Sequence, residues 1–120
     1  MSMHVCRPAY CHELDAECPL DRWISYAVKV LRDGGIETYE ACEGGRGHSY
    51  REPAVRFYGQ RGDGFKAVAL ALSRGLPVRA LRRFWTIDDA ELIGPNWELT
   101  FWERPLKRLQ REAERTGLIT

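Results

Sequence analysis

A glycine-rich stretch near the middle of the 120-residue chain combines side chains that can bind anions or transfer protons. It runs from Cys42 to Pro53 and holds three glycines and a histidine. Glycine lets successive backbone N–H groups face one ligand and form an anion-binding nest. Arginine adds charge-assisted hydrogen bonds to phosphate oxygens, and histidine exchanges a proton near neutral pH. The pattern predicts that an anionic, nucleotide-like small molecule binds to a set of loop residues and nearby arginines: Gly44, Gly45, Arg46, Gly47, His48, Arg51 and Arg56.

The same loop permits a catalytic interpretation. A thiol becomes a nucleophile beside a base or in a positive environment, which makes Cys42 a candidate nucleophile and His48 its base. Glu52 is a further candidate acid or base. No third residue that would orient His48 is identifiable from the sequence. Binding needs less strict geometry than catalysis, so we favour a binding protein and leave enzymatic activity open.

A second cluster of reactive side chains lies at the start of the chain. Three thiols and two imidazoles fall within fifteen residues that show no apolar periodicity. Zinc takes four such ligands in a tetrahedral array, and its binding energy can order a segment that has no core. An alternative ligand set includes Cys42 or His48, which would link this cluster to the loop. The predicted zinc ligands are Cys6, Cys11, His12 and Cys18.

Charge is distributed unevenly along the chain. The formal net charge is +1, but residues 46–83 carry nine basic and two acidic side chains. Arginines next to Phe84 and Trp85 resemble the basic and aromatic platforms that bind single-stranded nucleic acid. A nucleic acid is therefore an alternative partner, and a zinc-stabilised module that binds nucleic acid or protein is an alternative function.

Part of the sequence resembles a known family. The resemblance is carried by PLDRW, by VLRDGGIETYEACEGGRGH and by EPAVRFYG. These segments resemble a family of small bacterial and phage proteins of unassigned function, whose core reads E-x-C-x-G-G-x-G-H and then E-P-x-V-R-F-x-G. The resemblance covers Pro19 to Gly59 and implies no particular activity. It implies that the following positions are shared: Cys42, Gly44, Gly45, Gly47, His48, Glu52, Pro53, Arg56 and Phe57.

Composition limits the class of protein. A chain that is 44% hydrophobic and 29% charged is expected to fold. Its longest apolar run is too short to span a bilayer, and we see no secretory leader, so a cytoplasmic location is expected. The length suits one domain. We expect a cysteine-rich segment over residues 1–18, one domain over 19–117 and a tail over 118–120.

Periodicity and turn residues predict the elements that must position the loop. A helix is expected from Pro19 to Gly34, and another around Phe65 to Leu72 with Asp63 as its N-cap. The last helix is expected to begin at Pro105. Strands are predicted over 36–41, 54–58, 78–87 and 97–102, with turns at 88–89 and 94–96.

This order, α-β-β-α-β-β-α, predicts an α+β two-layer sandwich. Its short ββ connections favour a four-stranded, mainly antiparallel sheet, and we expect the helices on one face of it. An exposed strand edge or the last helix would allow a homodimer.

Overall fold

The computed structural model describes residues 4–5 by their backbone, and residues 21–48 and 50–119 in full. These residues include three α-helices: α1 (Ser25–Asp33), α2 (Arg61–Ser73) and α3 (Glu103–Arg115). A short 3₁₀ turn, Arg22–Ile24, precedes α1. The strands, in chain order β1 to β5, are His4–Val5, Thr38–Cys42, Ala54–Tyr58, Val78–Asp88 and Glu91–Phe101.

The strands form one sheet in the order β1-β2-β3-β5-β4. Strands β2 to β5 pair antiparallel, which confirms the predicted α+β class and the four-stranded antiparallel sheet. Strand β1 adds a fifth, parallel strand beside β2 that the sequence did not indicate. Strand β4 is therefore at one edge of the sheet.

One hydrophobic core joins the helices to the sheet. On the sheet, Val55 lies opposite Leu99, and Phe57 lies opposite Trp97. All four are buried, as the alternation in β3 and β5 predicts. From the helices the core takes buried residues of all three: Ile24, Ala27, Val28, Leu31, Ala67, Ala71, Leu106 and Ala113. No helix in the described part of the chain is long and apolar enough to cross a membrane.

Helix α2 differs from its prediction. It begins at Arg61, and Asp63 lies in its first turn, where its carboxylate accepts a hydrogen bond from the Gln60 N–H at 2.8 Å. Asp63 is thus not the N-cap. The large side chains that suggested the helix, Phe65 and Leu72, are exposed, and the helix buries small residues instead. The reason is close approach to the sheet, because a Cβ on Gly64 would come within 2.7 Å of the Trp97 ring.

The turn predicted at residues 94–96 is wrong. Gly94 and Pro95 lie within β5, where the pairing register shifts between Phe84 and Thr86 of β4. Such a bulge tolerates proline, because its missing N–H interrupts no ladder bond there. The predicted turn at 88–89 is close to the observed one, in which Asp89 and Ala90 have positive φ.

Candidate functional site

The glycine loop leaves the sheet at the buried end of β2. Cys42, the last residue of β2, has no exposed surface. Gly44 follows with φ +77°, and a Cβ there would overlap the backbone of Glu52 and Pro53. The Gly45 N–H donates to the carbonyl oxygen of Arg51 at 3.1 Å. The loop therefore folds back on itself, and this tight return requires glycine at position 44.

Three side chains that can ligate a metal meet at this point. Asp21 stands just before the 3₁₀ turn, Cys42 ends β2, and His48 lies in the loop. One ligand atom from each lies within 4.8 Å of the other two. Asp21 is 21 positions before Cys42, and Cys42 is 6 positions before His48. The fold alone therefore brings Asp21 close to the other two residues.

The environment of the Cys42 sulfur suits a ligand better than a nucleophile. Gly44 donates its backbone N–H to Sγ at 3.3 Å. Such a bond is strongest when the sulfur carries negative charge, as a metal-bound thiolate does. Because Cys42 is fully buried, a substrate has no path to Sγ without movement of the loop.

The His48 ring lies between two carboxylates. Its Nδ1 is 3.6 Å from Asp21 Oδ2, and its Nε2 is 3.7 Å from Glu43 Oε2. Nδ1 is buried and makes no hydrogen bond within the described residues. In many metal centres one imidazole nitrogen ligates the ion while the other donates to a carboxylate, and these two contacts fit that arrangement.

Glu43 supports the cluster from the side. Its backbone N–H donates to Asp21 Oδ2 at 3.2 Å and so fixes the position of that carboxylate. Burial, assisted by the negative charge of Asp21, raises the pKa of the Glu43 carboxyl, while His48 and the Trp23 backbone N–H oppose the change. The surroundings of His48 are therefore acidic, which favours a cation over an anion at this point.

The predicted anion-binding set is divided between two places. Arg46, Gly47 and Arg51 are exposed on the loop. Arg56 lies on the sheet face opposite Val55 and Phe57, and its Nε donates to Glu98 Oε2 at 3.0 Å. Gly44 and Gly45 already use their N–H groups within the loop, as described above. The seven predicted residues thus form no common nest in this structure.

The basic middle of the chain also pairs within the protein. Arg82 lies 3.4 Å from Glu98, and Arg79 lies over the Trp102 ring at 5.3 Å. Arg83 lies over Trp85 at 5.1 Å. Each of these arginines therefore contacts a carboxylate or an aromatic ring of the protein itself.

The structure gives little evidence on two other predictions, the role of Glu52 as an acid or base and the N-terminal zinc site. The structure places the backbone of Glu52 against Gly44, and among the described residues its side chain forms no hydrogen bond or ion pair with His48. The predicted zinc ligands Cys6, Cys11, His12 and Cys18 lie outside the described residues, as do most of residues 1–18. The roles of these five residues and the proposed division into domain and tail stay predictions.

Sequence reasoning missed two parts of this region. One is Asp21, which the sequence indicates only as part of the helix expected from Pro19 to Gly34. The other part is a cavity of about 490 Å³ on α3, beside the loop. A side chain at Gly45 would lie 3.8 Å from Glu103, which joins this cavity to the loop. The recurrence of lysine and arginine every three or four residues was the available signal. The cavity is lined by Glu103, Arg104, Lys107 and Arg111.

Comparison with known proteins does not supplement this geometry. Searches against family models, curated proteins and solved structures give no match. The resemblance described from the sequence therefore rests on the quoted residues alone.

Proposed function

We propose that the protein binds a divalent transition-metal ion of the zinc class through Asp21, Cys42 and His48. The observation that carries this proposal is the convergence of one carboxylate, one thiol and one imidazole within 4.8 Å. Mixed sulfur, nitrogen and oxygen ligands suit Zn²⁺ better than the harder Mg²⁺ or Ca²⁺, which prefer oxygen alone.

The site needs only modest closure to hold the ion. Tetrahedral zinc sites place ligand atoms roughly 3.3–3.8 Å apart, so a contraction of about 1 Å suffices. His48 would ligate through Nδ1, and its Nε2–H would donate a hydrogen bond to the Glu43 carboxylate, which would hold the ring in place. The Gly44 N–H would support the thiolate of Cys42.

Three ligands leave a fourth position. A residue of the N-terminal cysteine cluster would close the site and make it structural, whereas a water would leave it open to an external ligand. The first outcome corresponds to the alternative ligand set that joins the cluster to the loop.

Metal analysis of tag-free protein tests the proposal. We expect about one equivalent of zinc, and a thiolate-to-cobalt charge-transfer band after cobalt substitution. Cys42→Ser, Asp21→Asn and His48→Gln should each lose most of the metal. Glu52→Gln is the matched control on the same loop and should retain it.

A combined Cys6→Ser, Cys11→Ser and Cys18→Ser variant separates the alternatives. Retention of the metal with weaker affinity would assign the fourth ligand to this cluster, and unchanged affinity would indicate an open position. Loss of metal from this variant, with full retention in Cys42→Ser, would overturn the proposed site.

A second candidate function, binding of an anionic small molecule, is favoured by the cationic cavity on α3. Lys107 pairs with Glu103 at 3.0 Å, but Arg104 and Arg111 form no ion pair with any described residue. Arg111 and Lys107 lie over the Trp23 ring at 5.0 and 5.6 Å, which restrains both cations beside the loop. Arg111 is both restrained and without an ion-pair partner among the described residues, and together with Arg104 and Lys107 at one cavity it suits a phosphate group.

Thermal-shift measurements with pyrophosphate and with nucleotides test this candidate. A ligand should raise Tm in the natural protein and not in Arg104→Ser or Arg111→Ser. Arg108→Ser, an exposed arginine on the same helix outside the cavity, is the control and should respond normally. An equal response of all variants would reject the cavity as the site.

A further inference from the structure

The β4–β5 hairpin carries an unusual apolar surface at its far end. The strands continue past the core, and residues 85–93, here named the hairpin arm, are exposed. Exposed fractions there reach 71% for Ile87 and 66% for Leu92. Ile87 lies directly opposite Leu92 in the pairing register, so the two side chains share one face. Trp85 is also about half exposed.

The arm adjoins an open strand edge. Strand β4 is the last strand of the sheet, and among the residues that the structure describes only one edge of its 11 residues is paired, with β5. Long edge strands with apolar side chains are templates for pairing with another strand. Contiguous exposed apolar side chains on a folded domain indicate an interaction surface.

Charge along β4 changes sign from one end to the other. The end near the core carries Arg79, Arg82 and Arg83, and the far end carries Asp88, with Asp89 in the turn. Within the described ranges, no cation lies at ion-pair distance from Asp88 or Asp89. A strand that is basic at one end and acidic at the other complements itself when two copies run antiparallel.

We propose that β4 pairs antiparallel with β4 of a second copy of this chain, about a two-fold axis at Trp85. This register sets Arg82 opposite Asp88 of the second copy, and Arg83 opposite Ile87 of the second copy. The apolar side chains of each arm then pack against the aliphatic parts of the other copy's arginines. Two sheets become one continuous sheet, and the open edge is removed.

Sedimentation equilibrium over a wide range of protein concentrations tests this dimer. The natural protein should form a dimer, and Asp88→Lys should weaken it at least about tenfold because it places cations opposite Arg82. Ile87→Asp should weaken it similarly by charging the apolar face. Asp33→Lys, the same charge change on the exposed end of α1, is the control and should not alter the dimer.

Hydrogen exchange provides a measurement that needs no variant. Amides of β4 should become more protected as the concentration of the natural protein rises, while those of α1 should not change. A protein that is monomeric at every concentration would overturn the proposal. So would a dimer whose affinity is unchanged in folded Asp88→Lys and Ile87→Asp variants.

Discussion

The glycine loop and the hairpin arm depart from the usual distribution of side chains in opposite ways. At the loop, Asp21 and His48 place charged or polar atoms against a fully buried cysteine. At the arm, Ile87 and Leu92 expose most of their apolar surface to solvent. Burial at the loop costs folding free energy because polar groups lose hydration, whereas the exposed apolar side chains of the arm give up the stabilisation that burial would supply. A ligand at the loop would offset the cost, and a partner at the arm would bury the apolar surface.

The two regions also differ in how the backbone reaches them. The loop leaves β2 at the core and is held by its own hydrogen bonds, so its geometry is fixed from within. The arm extends β4 and β5 beyond the core, and within the described part of the chain the ladder between the two strands holds it. We therefore expect substitutions at the loop to affect folding, and substitutions at the arm to affect association.

The largest difference in stability is expected between two leucine-to-alanine substitutions at opposite ends of β5. Leu99 and Leu92 both lie in β5, but Leu99 is fully buried and Leu92 is exposed. Leu99→Ala should lower the free energy of unfolding by about 4 kcal/mol through a core cavity. Leu92→Ala should change it by no more than about 0.5 kcal/mol when urea unfolding is measured at low protein concentration. Equal losses would show that the arm belongs to the core of a single copy.

A smaller contrast is expected within the glycine loop. Gly44 and Gly47 both have positive φ, but only Gly44 approaches other backbone atoms. Gly44→Ala should lower the free energy of unfolding by about 3 kcal/mol, because the strain of a side chain at positive φ is added to the overlap of its Cβ with the Glu52 backbone. Gly47→Ala should lower the free energy of unfolding by only about 1 kcal/mol, the cost of placing a side chain at positive φ. Urea unfolding of both variants measures the difference, and similar costs would mean that the return of the loop at Gly44 is not tight.

The smallest effect on stability is expected from the ion pair that attaches the segment around Asp21 to α3. Arg22 donates two hydrogen bonds to Glu114 of α3, at 2.7 and 2.9 Å. These bonds, together with one from the Gln110 side-chain amide, lower the pKa of the Glu114 carboxyl from its usual 4.5 to about 2. A lowered pKa in the folded state contributes stability above pH 4.5, and this contribution is lost as the pH falls from 4.5 to about 2.

Because the pair is exposed, the pH effect should be slight. Urea unfolding between pH 5 and pH 2 should show a steeper acid loss for the natural protein than for Glu114→Gln. Parallel curves for the two proteins would indicate that the pair does not hold the segment. Metal affinity of Glu114→Gln at neutral pH, compared with Glu112→Gln on the same helix, would show whether the anchor matters to the site.

Much of the fold follows from local patterns. Alternation predicted β3 from Ala54 to Tyr58 with its observed bounds, because each second side chain must face the core. In the helix expected from Pro19 to Gly34, the spacing of Ala27, Val28 and Leu31 is typical of one buried helix face, and these side chains are buried in α1. In α2 the large apolar residues did not mark the buried face of the helix, because Phe65 and Leu72 are exposed. The distance of a helix from the sheet is set by the partner surface, here Trp97 against Gly64, and not by the helix sequence.

The candidate site was predictable only in part. Cys42, His48 and the glycines between them stand close together in the chain, so sequence alone marked the loop as chemically important. The sequence also suggested that an anion binds there, because Arg46, Arg51 and Arg56 lie close together in the chain. The structure assigns Arg56 to the opposite sheet face with Glu98, since neighbouring strand residues point to opposite sides. It also surrounds His48 with carboxylates.

By itself, the sequence determined the α+β class, most of the elements and the glycine-histidine loop, because these depend on periods of two or 3.6 residues and on glycine's conformational freedom. Tertiary structure alone decided that Asp21 meets Cys42 and His48, since the turn after α1 brings β2 back beside the start of the helix. It also decided that the hairpin arm passes beyond the core, because the length of a strand does not specify how much of it the helices cover.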